Sequence, residues 1–348
     1  MTDFTVFSTA RRPPDYPGLS IDLMPPRPLP PYVPQPGTAE AVDVAIGLGR
    51  PLLVTGDPGV GKSSLAFAIA ETLGLPRAYR FVTRSTSEAR DLFYHYDALG
   101  RFRDAQLKDK TTDVGDYITY QALGAAILDG MDPEGRKPFL DRQKTARWTP
   151  DPNSRRAVLL IDEIDKASRD FANDVLVEVE EMRFRVPELG LAASRDLDHD
   201  RRPIVVVTSN SERALPDAFL RRCAFLHLRF PGKDDLTRVL QSHLSVPNPG
   251  PDDATGGPRI GMLVDLAVML QTLGGLSKRP GISEVIDTAR ILRAFPGEDD
   301  NRVWSRAAGA LVKSRQDLRL LAEVLRQRYQ IALPLAGRAC PWRAAARS

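Results

Sequence analysis

Residues 56–63 read Gly56-Asp57-Pro58-Gly59-Val60-Gly61-Lys62-Ser63, with Ser64 next, between an apolar run from Pro51 to Thr55 and a helical pattern from Ser63 to Leu73. Gly56, Gly59 and Gly61 have no side chain to obstruct an anion and can reach positive φ, so successive backbone amides can face it at a helix N-terminus. The spacing is that of a complete phosphate-binding loop, G-x-x-x-x-G-K-[ST], in its strand-loop-helix setting, and it assigns a nucleoside triphosphate as ligand. In such a loop Lys62 reaches the β and γ phosphates and Ser63 ligates Mg²⁺.

Two further apolar runs end in polar chemistry. Ala157 to Glu163 has the length of a strand buried on both faces and finishes in Asp162 and Glu163. Open α/β sheets bind ligands at the C-terminal ends of their strands. Asp162 is expected to hold Mg²⁺ through its water shell, and Glu163 to polarise the attacking water as general base. Pro203 to Thr208 leads into Ser209 and Asn210. The uncharged amide of Asn210 suits a hydrogen bond to a γ phosphate or to that water without adding charge.

These elements, followed by Leu215 to Arg222 before another strand, together resemble the AAA+ ATPases over about residues 38–295. Ile164-Asp-Lys-Ala167, Thr208-Ser-Asn-Ser-Glu-Arg213 and Ala218-Phe-Leu-Arg-Arg222 are similar to the MoxR-type branch. The resemblance implies ATP with Mg²⁺, hydrolysis, and an arginine finger from Arg221 or Arg222 acting in a neighbouring subunit's site, hence a homo-oligomeric, hexameric ring. Lys278-Arg279-Pro280 resembles the sensor-2 element, from which Arg279 would contact the γ phosphate of its own subunit. Arg84 to Gln106 matches an element facing the ring centre and implies contact with a partner; Arg183 to Arg202 resembles the hairpin before the sensor strand. The implied role is chaperone-like remodelling or activation of an unidentified client or adaptor protein. A slow nucleotide-dependent switch or scaffold and a nucleic-acid motor or loader are the alternatives.

The chain has 348 residues, 42% hydrophobic and 27% charged, enough for two domains with cores and a polar surface. Apolar runs near 51–55, 79–83, 157–161, 203–208 and 225–230, alternating with helical patterns, predict a P-loop NTPase α/β fold: a parallel sheet covered by helices on both faces. Helical patterns at 260–274, 281–294, 301–313 and 314–329 predict a small all-helical lid domain. The expected division is a Pro-rich arm over 1–37, a large nucleotide-binding domain over 38–232, the lid over 233–330 and a tail over 331–348. Ten of the 29 prolines fall in the arm, which excludes helix there. Thr38 is expected to cap the first helix, with Glu40 in its first turn. Val246 to Arg259 reads as a Pro/Gly-rich break.

A net charge of +3 gives no broad electrostatic reason for nucleic-acid binding. Gly261 to Leu276, the most apolar stretch, is too short and too interrupted by Asp265 and Gln271 for a membrane span. Cys223 and Cys340 are too few for a zinc site or a disulfide framework and fit a reducing cytoplasm.

Overall fold

The computed structural model describes residues 32–75, 78–106, 113–141, 156–193, 198–244, 257–295 and 297–333. Most of the expected N-terminal arm, the C-terminal tail beyond residue 333 and Cys340 lie outside these. The chain forms two units. One holds Pro36–Gly56 and Lys62–Leu228; the other holds Asp57–Gly61, the residues from Arg229 onward and the short stretch that ends at Gln35.

The first unit runs α1 (Thr38–Leu48), β1 (Leu52–Gly56), α2 (Lys62–Thr72), β2 (Ala78–Val82), β3 (Tyr94–Tyr96), α3 (Ala98–Ala105), β4 (Ile118–Tyr120), α4 (Ala122–Gly130), α5 (Pro133–Leu140), β5 (Val158–Asp162), α6 (Arg169–Glu181), β6 (Phe184–Val186), β7 (Leu191–Ala193), β8 (Ile204–Ser209), α7 (Asp217–Leu220) and β9 (Ala224–Leu228). Five strands make a wholly parallel sheet in the order β2-β5-β8-β1-β9. Every residue of β1, β5 and β8 is buried, which is why these strands read as unbroken apolar runs rather than alternating ones. The edge strands differ: Arg80 on β2 and Phe225 and His227 on β9 are exposed. The P-loop α/β fold expected from the sequence is the one observed.

The long insertion after β2 is not structureless. It contributes the antiparallel β3-β4 pair and α4, whose nine residues are all buried. Leu92, Leu123, Ile127 and Leu128 join Leu159, Phe171 and Val205 in one core. The second insertion forms the expected hairpin, β6 with β7.

One expectation fails at α1. Thr38 is not the cap but the first helical residue, buried, with no hydrogen-bond partner for its hydroxyl. Gly37 takes the capping position at φ 82, a left-handed entry open to glycine, whereas a capping side chain needs an extended backbone.

The second unit is helical among its described residues: α8 (Lys233–Leu244), α9 (Pro258–Thr272), α10 (Ile282–Ala294), α11 (Asp300–Leu311) and α12 (Arg315–Tyr329). Buried positions recur at helical spacing, as in Ile260, Leu263, Val264, Ala267 and Leu270 of α9. α10 packs against α8, α9 and α11, with Trp304 of α11 fully buried. The expected Pro/Gly break ends earlier than Arg259, because Pro258 begins α9: a helix's first turn needs no proline N–H. No helix among the described residues is long and apolar enough to cross a membrane.

Leu160 is fully buried in the middle of β5. Leu160→Ala is expected to cost ~2–5 kcal/mol, read as a lower denaturant midpoint of the α/β unit.

Candidate functional site

The register of the sheet builds the site. Arg80 pairs with Leu160 and Val82 with Asp162, so these four residues share one face of the β2-β5 pair. α2 packs against β5, and Ser63 in its first turn donates to Asp162 Oδ1 at 2.7 Å. Thr208, near the end of β8, donates to the same oxygen at 2.6 Å. Arg80 approaches Oδ2 with Nε at 3.0 Å and Nη2 at 2.5 Å. Asp162 is only 2% exposed. Burial alone pushes its pKa up, but the bonds from Thr208, Ser63 and Arg80, with the Arg80 charge, prevail and hold it below the ordinary carboxylate range.

Glu163 follows at φ 58, a left-handed conformation that costs a non-glycine residue free energy and persists only where its surroundings enforce it. Here its N–H donates to Thr208 Oγ1 at 2.9 Å. The turn carries the Glu163 side chain away from the buried Asp162 and toward Asn210, whose Nδ2 donates to Oε1 at 3.3 Å. Lys166 Nζ lies 2.5 Å from Oε2. Asp165, buried, accepts from the backbone N–H groups of Asn210 and Glu212, which fixes the loop after β8 to the loop after β5. The expected Asp162, Glu163, Ser63 and Asn210 therefore converge.

Thr208, Arg80 and Asp165 belong to this cluster and were absent from the expected site. Arg80 carried a signal only as the charged interruption of the run Ala78 to Val82; exposed on an edge strand, it did not require a carboxylate partner. Thr208 and Asp165 carried none beyond adjacency to Asn210 and Glu163.

Lys62 is buried and donates to Gly56 O at 2.7 Å. Gly56 itself sits at φ 138, and a Cβ there would lie 2.1 Å from Leu228 O, so only glycine lets β1 run this close to β9. Among the described residues Arg221 and Arg222 make no hydrogen bond or ion pair with Asp162 or Glu163. Arg221 is exposed just after α7, and Arg222 Nε lies 3.3 Å from Glu180 of α6.

Within the second unit, the loop residues Asp57, Pro58 and Gly59 are exposed and Val60 is buried. Gly59 O accepts from Ile282 N at 3.1 Å, at the start of α10. A Cβ on Gly281 would lie 2.8 Å from Pro58 O, so the two backbones meet directly. Tyr32 also packs here, its ring 3.5 Å from where a Cβ on Gly61 would stand. Arg279 is exposed and makes no hydrogen bond or ion pair with the described residues; Ser64 is exposed on α2.

These residues fit a triphosphate with a hard divalent cation. The hydroxyl of Ser63 and the ionised carboxylate of Asp162 are oxygen donors already in contact, and Mg²⁺ takes one or two such groups beside water and phosphate oxygens. Glycine amides and the Lys62 ammonium supply the complement to phosphate charge.

Because Asp162 is held below its ordinary pKa, near 3.9 when unfolded, its bonds stabilise the fold at and above that value and are lost as pH falls through the folded pKa. Thr208→Val removes one donor to Asp162 and the acceptor of Glu163 N–H. It is expected to cost about 1–3 kcal/mol at pH 7, and denaturant midpoints measured from pH 7 to pH 3 should fall less steeply than in the wild type.

Residues 51–223 match the AAA domain family of the dynein-related subfamily. Among curated proteins the chain is similar to Lon protease 1 of Hydrogenovibrio crunogenus, at 29% identity over 203 residues, covering 56% of this chain and 19% of that protein. The Lon protease of Metamycoplasma arthritidis is 29% identical over 196 residues, with coverage of 56% and 19%. The mitochondrial Lon protease homolog of Yarrowia lipolytica is 32% identical over 108 residues, with coverage of 27% and 9%. The chain thus spans a fifth or less of the length of these relatives. Among solved structures it is similar to the FIGL-1 AAA domain in complex with ADP, at 15% identity and a TM-score of 0.38, covering 80% of this chain and 78% of that one. The family match begins at the strand before the phosphate loop and ends just past the arginine pair; it encloses Lys62, Asp162, Glu163 and Asn210, and it supports an AAA+ ATPase.

Proposed function

We propose that this chain is a cytoplasmic ATPase of the MoxR-type branch that assembles into a homo-oligomeric ring and couples Mg²⁺-dependent ATP hydrolysis to remodelling or activating a partner protein. The observation that carries this reading is the pairing of Asp162 with Ser63 beside an outward-facing Glu163 held by Asn210. Residues 38–232 act as the nucleotide-binding domain and 233–330 as its lid.

The residues divide the work. Gly56, Asp57, Pro58, Gly59, Val60 and Gly61 present the phosphate-binding backbone, Lys62 meets the β and γ phosphates, and Ser64 continues the helix that opens behind them. Ser63 and Asp162 would hold Mg²⁺, which when bound would neutralise charge on the phosphates. Glu163 accepts the proton of the attacking water, and Asn210 keeps that carboxylate aimed. Arg279 contacts the γ phosphate of its own subunit. Arg222 or Arg221 serves the neighbouring subunit as the finger, a permanently charged planar fork suited to phosphoryl oxygens. For the client, the segment 84–106 offers Leu99 and Phe102, 75% and 64% exposed, on α3. These are apolar side chains that a polypeptide partner would cover.

A second reading, a slow nucleotide switch, draws on one observation. Lys166 Nζ lies 2.5 Å from Glu163 Oε2, so one oxygen of the proposed base is already held by a cation.

Lys62→Ala is expected to abolish nucleotide binding by calorimetry; unchanged affinity removes the phosphate-loop assignment. Glu163→Gln should keep ATP and Mg²⁺ binding and stop phosphate release, and wild-type turnover in this variant excludes Glu163 as the base.

The ring is tested through its fingers. Arg222→Ala, or failing that Arg221→Ala, should lower turnover ~10³-fold with little loss of binding. Mixing the finger variant with Glu163→Gln should restore part of the activity, at interfaces that join an intact Glu163 to an intact arginine. Full turnover by strictly monomeric protein would count for the switch.

A further inference from the structure

The strongest unassigned cluster lies in the second unit, around Arg279. Asp317, in the first turn of α12, is 0% exposed although it is a carboxylate. Among the described residues it pairs with no cation. Its Oδ1 accepts from Ser277 N at 2.7 Å, and its Oδ2 accepts from Ser277 Oγ at 2.5 Å and from Lys278 N at 3.3 Å. A buried carboxylate that spends its lone pairs on two consecutive backbone N–H groups of another segment fixes that segment's path.

The remaining residues around Arg279 are fixed as well. Gln316, the neighbour of Asp317, donates from Nε2 to Gly275 O at 2.9 Å. Gln271 of α9 donates to Pro280 O at 2.8 Å, and Gly281 N donates to Glu284 Oε2 at 3.1 Å. Ile282 N then reaches Gly59 O of the phosphate loop. Residues 277, 278, 280, 281 and 282 thus each have a named restraint, while the Arg279 side chain between them makes no bond of its own with the described residues and is exposed. A long flexible cation on a rigid base is how a protein aims a charge without paying its full ordering entropy at the moment of binding.

We infer that Asp317 is the positioning residue for Arg279: by clamping Ser277 and Lys278 it holds the arginine where it can read the terminal phosphate of the nucleotide. This rests on the proposed role of Arg279. It predicts that a carboxylate in the α12 helix, which need not touch nucleotide, sets the preference for a triphosphate over a diphosphate. Asp317→Asn keeps the shape and one acceptor but turns the other oxygen into an amide that faces the Lys278 N–H with a donor.

The test measures dissociation constants of the full-length chain for ADP and for a non-hydrolysable ATP analogue, both with Mg²⁺, by calorimetry. Arg279→Ala is expected to weaken the analogue and spare ADP, lowering the triphosphate preference about tenfold. Asp317→Asn should lower the same preference by a similar factor, and the double variant by no more than either alone, because the two act through one contact. Asp317→Glu should restore part of it. If Asp317→Asn does not fold, Ser277→Ala, which removes one donor to the clamp, should give a smaller loss in the same direction.

A clamp that only stabilises the unit would lower the melting temperature and weaken both nucleotides equally; that result overturns the inference. Loss of preference in Arg279→Ala with full preference in Asp317→Asn and Ser277→Ala also overturns it, and leaves the reading of Arg279 standing. Full preference in Arg279→Ala removes that reading and the inference with it.

Discussion

A buried carboxylate in the middle of an apolar sheet is the constraint around which the first unit is arranged. Asp162 ends a strand that is otherwise wholly apolar, and removing its charge from water is costly unless several donors meet it. Its donors come from three separate places: Ser63 from the helix after β1, Thr208 from β8 and Arg80 from β2. Satisfying one side chain therefore fixes the register of β2 and β8 against β5 and the position of α2 over that face. A slip of one residue in β2 would turn Arg80 to the opposite face and leave Asp162 short of a partner. The chemistry and the strand pairing are enforced by the same bonds.

The strained turn at Glu163 follows from that arrangement. Asp162 must point inward to its donors, and the next side chain must point out to do anything with water. Ordinary extended backbone would direct Glu163 to the opposite face of the sheet, into the core. A left-handed residue at φ 58 instead ends the strand at once, and Thr208 compensates by accepting the Glu163 N–H with the same hydroxyl that donates to Asp162. One threonine hydroxyl thus serves the Asp162 carboxylate and the Glu163 backbone.

Much of this was legible in the sequence, for identifiable reasons. The central strands and the helices of the second unit could be read because strands buried on both faces make unbroken apolar runs and packed helices leave a 3.6-residue pattern. Asp162, Glu163 and Asn210 could be read because each follows such a run with polar chemistry, and Ser63 because it completes the phosphate-loop spacing. Thr38 was misread as a cap because the preceding Gly37 could take a backbone state that no side-chain pattern reports. Asp165 and Asp317 were invisible for a different reason. Each accepts from backbone N–H groups far away in sequence, and a backbone donor has no residue identity to signal the pairing.

That invisibility says something about where precision in this molecule resides. The groups proposed to meet nucleotide are long or exposed side chains, Glu163, Arg279 and the arginine pair, which on their own sample many rotamers. What narrows them is a set of short, buried acids one step behind: Asp165 ties the Asn210 loop to the turn that carries Glu163, and Asp317 ties down the turn that carries Arg279. An aspartate suits this task because its short stem leaves little freedom once two backbone N–H groups are bound, and its full charge makes each bond stronger than an amide or hydroxyl would. Two acids in separate units, unrelated in sequence position, use the same device. The recognition proposed for this chain is therefore built on loops whose backbones are fixed by buried carboxylates.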